Sequence, residues 1–505
     1  MHQYQHYEKL INFGVCMRIN IFKDFATLSF ARFMTLISGL INAIVLTRAF
    51  SVIQYGTYSQ IFLITGLAVT IFSLGAGASC NFFLSTSDSK DEQRNIISQM
   101  LFLNLMLGLI AALVIFALRY LITWYFGNKD LLLVLPVMVF LPLFSIFDSI
   151  FEVSLITWGK TKQIIYTRMV TAFIQILIAA ITFILKFGVV RYLYLFFLYY
   201  STYCIFVVFI LIWYAGGFLF RKFDIQLHKR IFTYSVPIWI SSIVGTVTLN
   251  IDQLFIAHVM GTVKLAEYTN MAKELPITVI TASFTSVLFP TVVKLLKQGQ
   301  ENEVIRIWKL SSEMCFIILS VSVSIIFLLS PEIVSFLYSS KYITGVPVFR
   351  VYALILLFRV TYYGMILNAT GNTKFVFYYS LIILFLNVFL VFSLWYLIGY
   401  TGPAWATLLS IASVAYIQLY HSSKILKCRF REIFPWKHMI YIILICMGCI
   451  IPELSIEFML IRIGVNMYIR LFTVGSLAMF IYTLIFYRRL NYLKDNLRVT
   501  DEYLL

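Results

Sequence analysis

A chain of 505 residues that is 61% hydrophobic and 12% charged, with a mean hydropathy of +0.90, carries too little charge to clothe a soluble protein of that size. Its apolar residues fall in blocks of about 20, the length a helix needs to cross about 30 Å of hydrocarbon. They do not alternate with period two, which excludes barrel strands, and the formal charge of +17 asks for an anionic surface nearby.

In chain order, residues 1–24 are polar and mixed and lack the small-residue cleavage site of a leader. They are expected as a cytoplasmic segment ahead of a first helix that stays in the protein. Spans are predicted at 25–47, 57–79, 97–118, 131–156, 165–185 and 191–214, forming a six-helix bundle over 25–214. A cytoplasmic linker follows at 215–235. A second bundle, 236–423, takes spans 236–259, 269–292, 312–329, 346–368, 374–397 and 402–423. The stretch 424–487 holds two further spans, 437–452 and 467–487, and 488–505 is a cytoplasmic tail. The expected fold is an all-α polytopic membrane protein with about 14 transmembrane helices, and no loop is long enough for a soluble domain.

Two echoes tie the bundles together. Thr157-Trp158-Gly159-Lys160-Thr161-Lys162 returns as Ala369-Thr370-Gly371-Asn372-Thr373-Lys374, about 212 positions on. Gly56-Thr57-Tyr58-Ser59-Gln60 is answered by Glu267-Tyr268-Thr269-Asn270 at a shift of about 210. Six crossings separate the copies, so both enter the membrane from the same side, as parallel repeats do. Pro136, Pro142 and Pro276 fall inside predicted spans, where a missing N–H permits bending.

Lys and Arg divide unevenly between alternate loops, about 25 on one side against about 8 on the other. The positive-inside rule places both termini in the cytoplasm. Anionic lipid headgroups account for the net charge, and no basic domain points to nucleic acid.

Ionisable residues at membrane depth are costly and mark cavities or partners. Arg359 lies near the midplane of its predicted span, and Arg32, Arg48 and Lys273 complete a set of candidate cavity cations. Arg48, Arg168, Arg350 and Lys273 lie near helix ends, where each reads as an interface anchor ahead of a ligand contact. Asp252, Glu152, Asp148 and Glu274 are candidates for a coupling ion or for ion pairing; Asp148 and Glu152, four apart, share a helix face. Arginine suits phosphate oxygens through its planar, always charged fork, so the cavity favours an anionic, phosphate-bearing cargo. No P-loop, HExxH or nucleophile elbow occurs, and the seven scattered cysteines serve as small apolar filler. Neither a catalytic residue nor a metal site is expected.

Leu46-Thr47-Arg48 through Tyr55-Gly56-Thr57-Tyr58, Asn250-Ile251-Asp252-Gln253-Leu254-Phe255-Ile256 through Gly261, and Gly402-Pro403-Ala404-Trp405-Ala406-Thr407 occur in order at matching helix positions. On these the chain resembles the bacterial O-antigen and polysaccharide flippases of the multidrug/oligosaccharidyl-lipid/polysaccharide exporter superfamily. The resemblance implies two rocking six-helix bundles in the bacterial inner membrane. It implies an undecaprenyl-pyrophosphate-linked oligosaccharide as cargo, with a glycan polymerase and a chain-length regulator as partners. It implies no bound cofactor; transport would draw on a proton or sodium gradient or on the membrane potential. In a related lipid II flippase group two extra C-terminal helices border a groove for the lipid tail, a role open to the last two spans here. Gln253 stands where the family carries Arg after the Asp, so an ion pair at that spot does not carry over. A cation-coupled multidrug exporter of the same superfamily and a membrane glycan polymerase are the alternative readings.

Overall fold

A computed structural model of the chain describes residues 30–31, 33–87, 89–217, 224–273 and 275–502. Among these residues it is helical, with no strand. It divides into two compact units, 1–243 and 244–505.

The first unit holds α1 (Phe33–Ala49), α2 (Val52–Phe72), α3 (Ala76–Ser85), α4 (Lys90–Ala117), α5 (Arg119–Phe126), α6 (Leu131–Met138), α7 (Leu141–Thr157), α8 (Thr161–Ile184) and α9 (Val189–Tyr214). Ser51 opens α2 with a capping box: its hydroxyl accepts from the Gln54 amide, and Gln54 Oε1 accepts from the Ser51 amide. The core lies around α7, whose Ile146, Ile150 and Phe151 bury against Cys80, Phe83, Met100 and Val207 of α3, α4 and α9.

Two spans expected to be continuous are interrupted. The second becomes α2 and α3, joined at residues 73–75. Trp239 Nε1 donates to the carbonyls of Thr70 (3.1 Å) and Ile71 (2.8 Å), which the interruption leaves without helical partners. The fourth becomes α6 and α7, bent by 40°, with Pro136 before the bend and Pro142 just after it.

The linker expected at 215–235 is also different. From Ile225 onward it is already helix, the start of α10 (Ile225–Met271). The cause is local: Asp224 Oδ1 accepts the Leu227 amide at 2.9 Å, an N-cap that starts the helix early. The first turns of α10 pack in the first unit, with Ser235 hydrogen-bonded to Ser79, so the division falls inside the helix at 243/244.

The second unit continues α10 and adds α11 (Thr278–Lys297), α12 (Glu301–Leu328), α13 (Ser330–Tyr338), α14 (Val346–Ile355), α15 (Met365–Ala369), α16 (Thr373–Ile398), α17 (Gly402–Ile425), α18 (Phe430–Ile433), α19 (Trp436–Arg462) and α20 (Met467–Glu502). Gly261, at φ 77° and ψ −171°, breaks α10 into the seventh span and the start of the eighth. A side chain would strain that backbone, and Gly261 stands 210 residues after the Ser51 cap between the first two spans. The tenth span, expected unbroken over 346–368, is α14, a 3-10 turn at Leu356–Phe358, a non-helical stretch to residue 364, and α15.

The longer of the two sequence echoes is a capping device. After α7, the Lys160 amide reaches the Leu155 carbonyl at 2.8 Å, with Gly159 at φ 66°. After α15, the Asn372 amide reaches the Leu367 carbonyl at 2.8 Å, with Gly371 at φ 76°. Both are Schellman turns whose left-handed residue is glycine.

Among the described residues eleven segments qualify as membrane spans by length and apolar composition, twelve with the bent α6–α7 pair as one. One of the eleven, Lys374–Ile425, carries both α16 and α17, and α1 is apolar but shorter than the rest.

The last two long helices are built into the second unit. Met439, Ile442 and Cys446 of α19 and Tyr482 and Phe486 of α20 join one core with Trp308, Phe316 and Leu319 of α12. The thirteenth span, expected to end at 452, runs through Pro452 to Arg462 and buries Glu453 and Glu457. Charge fastens the pair at two levels. Glu313 of α12, 4% exposed, accepts bidentately from Arg489 (2.6 and 2.9 Å) and contacts His438 Nδ1 at 3.0 Å. Glu332 of α13 accepts from Arg470 at 2.9 Å. Removing the acceptor strands the Arg489 guanidinium, so Glu313→Ala is expected to lower stability by about 1–3 kcal/mol, read as a fall in melting temperature of the purified protein. Glu303→Ala, which breaks only the half-exposed pair with Arg306, should cost within about 0.5 kcal/mol in the same measurement.

Candidate functional site

Half of the predicted residues lie in the second unit. Asp252 lies on α10, 1% exposed, inside a cage of neutral donors. Tyr268 OH donates to its Oδ2 at 3.0 Å, Thr407 Oγ1 at 3.4 Å, and Tyr352 OH donates to the same oxygen. The Gln253 amide donates to Oδ1 at 2.7 Å. Among the described residues no Lys or Arg pairs with this carboxylate. Four separate elements build the cage: α10 before and after its break at Gly261, α14 and α17.

Beside it opens a cavity of about 180 Å³, lined among others by Gln253, Lys273, Tyr352, Arg359 and Thr407. Tyr352 and Thr407 belong to both features, so a single layer of side chains separates the buried acid from the cations. Arg359 is placed by the interruption of the tenth span: it closes the 3-10 turn with φ −102°, and its amide bonds the Leu356 carbonyl at 2.9 Å. Non-helical backbone at membrane depth is tolerated where it lines a cavity or is buried in protein. Lys273 comes from the end of α10 and lies 5.9 Å from the Tyr338 ring centre. Two of the four predicted cations therefore meet in one cavity.

In the first unit two of the acids share one arginine. Arg168 of α8 spans both carboxylates of α7, with Nη1 2.8 Å from Asp148 Oδ2 and Nη2 2.5 Å from Glu152 Oε2. Tyr203 OH donates to Asp148 Oδ1 at 2.7 Å. These groups border a cavity of about 220 Å³ together with Gln175, Tyr199 and Tyr200. Arg168, expected as an interface anchor, is instead a bridge between helices, because the i, i+4 acids of α7 face its fork. Of the two roles open to Asp148 and Glu152, this structure has them ion-paired.

Arg48 donates to the Ile44 carbonyl of its own helix at 2.8 Å and lines neither cavity. Arg32 and Glu274 lie outside the described residues. Sequence reasoning passed over Tyr268, Tyr352 and Thr407 as donors to the acid. Tyr268 had a signal, since it carries the shorter echo. Thr407 sits in the Gly402-Pro403-Ala404-Trp405-Ala406-Thr407 motif, while Tyr352 had none. Among the described residues no group of three His, Cys, Asp or Glu converges as a metal site.

The structure is similar to that of the lipid II flippase MurJ in an inward-closed conformation. The TM-score is 0.72 at 19% identity, over 92% of this chain and 99% of that one. An inward-facing multidrug resistance MATE family transporter of the MOP superfamily matches with TM-score 0.59 at 16% identity, over 78% of this chain and 94% of its own. A MOP superfamily transporter from Pyrococcus furiosus matches with TM-score 0.57 at 16% identity, over 80% and 96%. At such identities the likeness is one of fold. No curated protein sequence matches the chain. The sequence does match the family model described as polysaccharide biosynthesis protein over residues 45–347, more than half its length. The chain thus belongs to the polysaccharide biosynthesis protein family, with the many-helix membrane fold that its composition called for.

Proposed function

We propose that the protein is a flippase for undecaprenyl-pyrophosphate-linked oligosaccharide units, O-antigen or another surface polysaccharide, carrying them across the bacterial inner membrane by alternating access. The observation that carries this reading is Arg359. A membrane-depth arginine stands at a helix interruption, beside Lys273, on a cavity in a chain of a polysaccharide biosynthesis family. Two cations on one cavity suit a pyrophosphate, whose charge is spread over several oxygens. The Asp252 site supports coupling to a proton or sodium gradient, because a buried carboxylate with no Lys or Arg paired to it among the described residues holds a charge that a proton or a cation can balance. The reading has the protein translocating its cargo and not reacting with it.

Proteoliposomes test it. Purified full-length protein is expected to move a fluorescent undecaprenyl-pyrophosphate-linked oligosaccharide to the leaflet reached by a membrane-impermeant quencher, at least tenfold faster than protein-free vesicles. Flipping at the protein-free rate, with efflux of a cationic dye instead, would establish the multidrug exporter. Lengthening of the glycan on its lipid would establish the polymerase.

A further inference from the structure

A basic hollow in the second unit is apart from the Asp252 and Arg359 site and has no part in the transport reading. It lies where the first turns of α12, the connector through α18 and the ends of α19 and α20 converge, and it holds about 760 Å³. Arg306, Lys309, Arg431, Lys437 and Arg489 line it, against the single carboxylate of Glu313. That carboxylate is already engaged by Arg489 and His438. Lys309, Arg431 and Lys437 have no hydrogen-bond or ion-pair acceptor among the described residues, which leaves a concave cluster of positive charge facing an empty space of ligand size.

The rest of the wall is aromatic. Phe430 and Phe434 each pack at a tilt against Trp436, with ring centres 5.4 and 5.3 Å away. A second hollow of about 560 Å³ shares Glu313, His438, Arg489 and Tyr492 and extends between α19 and α20 past Ile442, Ile445 and Phe486. Cations at the mouth, aromatic rings beside them and an apolar cleft beyond match an amphipathic anion. A free phosphate would use the cations alone. Basic pockets between membrane helices on the side where Lys and Arg collect are suited to phosphate headgroups, and this one lies at the bundle end assigned to the cytoplasm by the loop charges.

We propose that this pocket binds the headgroup phosphate of an anionic phospholipid from the adjoining leaflet. The three unengaged cations would hold the phosphate, and the lipid body would lie along the cleft between α19 and α20. A lipid held there bridges α12 to the two C-terminal helices, alongside the Glu313–Arg489 clamp.

Native mass spectrometry of the purified full-length protein titrated with phosphatidylglycerol or phosphatidylcholine tests the proposal. Phosphatidylglycerol should be retained at least about tenfold more tightly. The combined Lys309→Ala, Arg431→Ala, Lys437→Ala variant should hold it about a hundredfold more weakly, about fivefold per cation. If that variant does not fold, Lys437→Ala alone, at an exposed position, should weaken binding about fivefold. The set Lys309→Arg, Arg431→Lys, Lys437→Arg should bind as wild type. Equal retention of the two lipids, or wild-type retention by the alanine variants, would overturn the site. Displacement of phosphatidylglycerol by inorganic pyrophosphate at equal or lower concentration would make it a free-phosphate site. Displacement by a polyprenyl pyrophosphate at lower concentration would assign it to the transported lipid. Either displacement overturns the phospholipid proposal, while retention of phosphatidylglycerol, or its loss in the alanine variants, leaves the flippase reading to the vesicle assay.

Discussion

Arg359→Ala is expected to abolish surface glycan while the protein remains in the membrane at its usual level. The side chain sits at the end of a 3-10 turn, in a stretch whose backbone has already left the helix, so its removal breaks no helical hydrogen bond. What it removes is half of the positive charge that this cavity presents, leaving Lys273. A charge-assisted bond to a phosphate is worth about 1.5–3 kcal/mol, which corresponds to a loss of about ten- to a hundredfold in transport. Arg359→Lys retains a point charge without the fork, and should recover part of the glycan. Immunoblots of membrane-bound protein and gels of cell-surface glycan read the two quantities separately. Unchanged glycan display in Arg359→Ala would remove the residue from the transport site.

The second large effect falls on Asp252. Asp252→Asn keeps the shape and one carbonyl acceptor for Tyr268, Tyr352 and Thr407, so the cage should survive and the protein should fold. The charge is gone, and with it any capacity to bind and release a proton or a sodium ion. In vesicles the variant is expected to lose the acceleration that an imposed ion gradient gives the wild type, by tenfold or more, while gradient-independent flipping persists. Asp252→Ala is a different experiment. It leaves three hydroxyls and an amide without an acceptor in a buried site, and should cost about 2–4 kcal/mol of stability. An Asp252→Asn variant that responds to gradients as wild type does would leave the acid a purely structural role.

Much of the chain was readable in advance because membrane helices are written locally. Twenty apolar residues announce themselves without reference to anything distant, and two glycines in matching frames announced what proved to be paired Schellman turns. Even Arg359 and Lys273 could be singled out, since charge inside an apolar run is conspicuous. Their meeting in one cavity was not readable, because it depends on a helix that stops at residue 358, with no proline or glycine at that point to signal it. Arg168 was misread for a related reason: its two acceptors lie 16 and 20 residues upstream on another helix, and only packing turns the helices to face each other. The Asp252 cage draws donors from up to 155 residues away. The reach of α10 back to Ile225 was legible after all, in an Asp three residues ahead of a leucine amide, but the polar run around it was taken for a linker.

The double fastening of α19 and α20 carries a consequence for anyone who sets out to watch this molecule work. Glu313, midway along α12, and Glu332, on α13, secure the added pair, both within the second unit. Whatever rearrangement accompanies transport, those helices should travel with α12 as one solid piece. A pair of spectroscopic labels on solvent-facing positions of α12 and α20 would then report a constant separation through the whole cycle. Such a pair is a built-in ruler against which every other distance change in the protein can be calibrated.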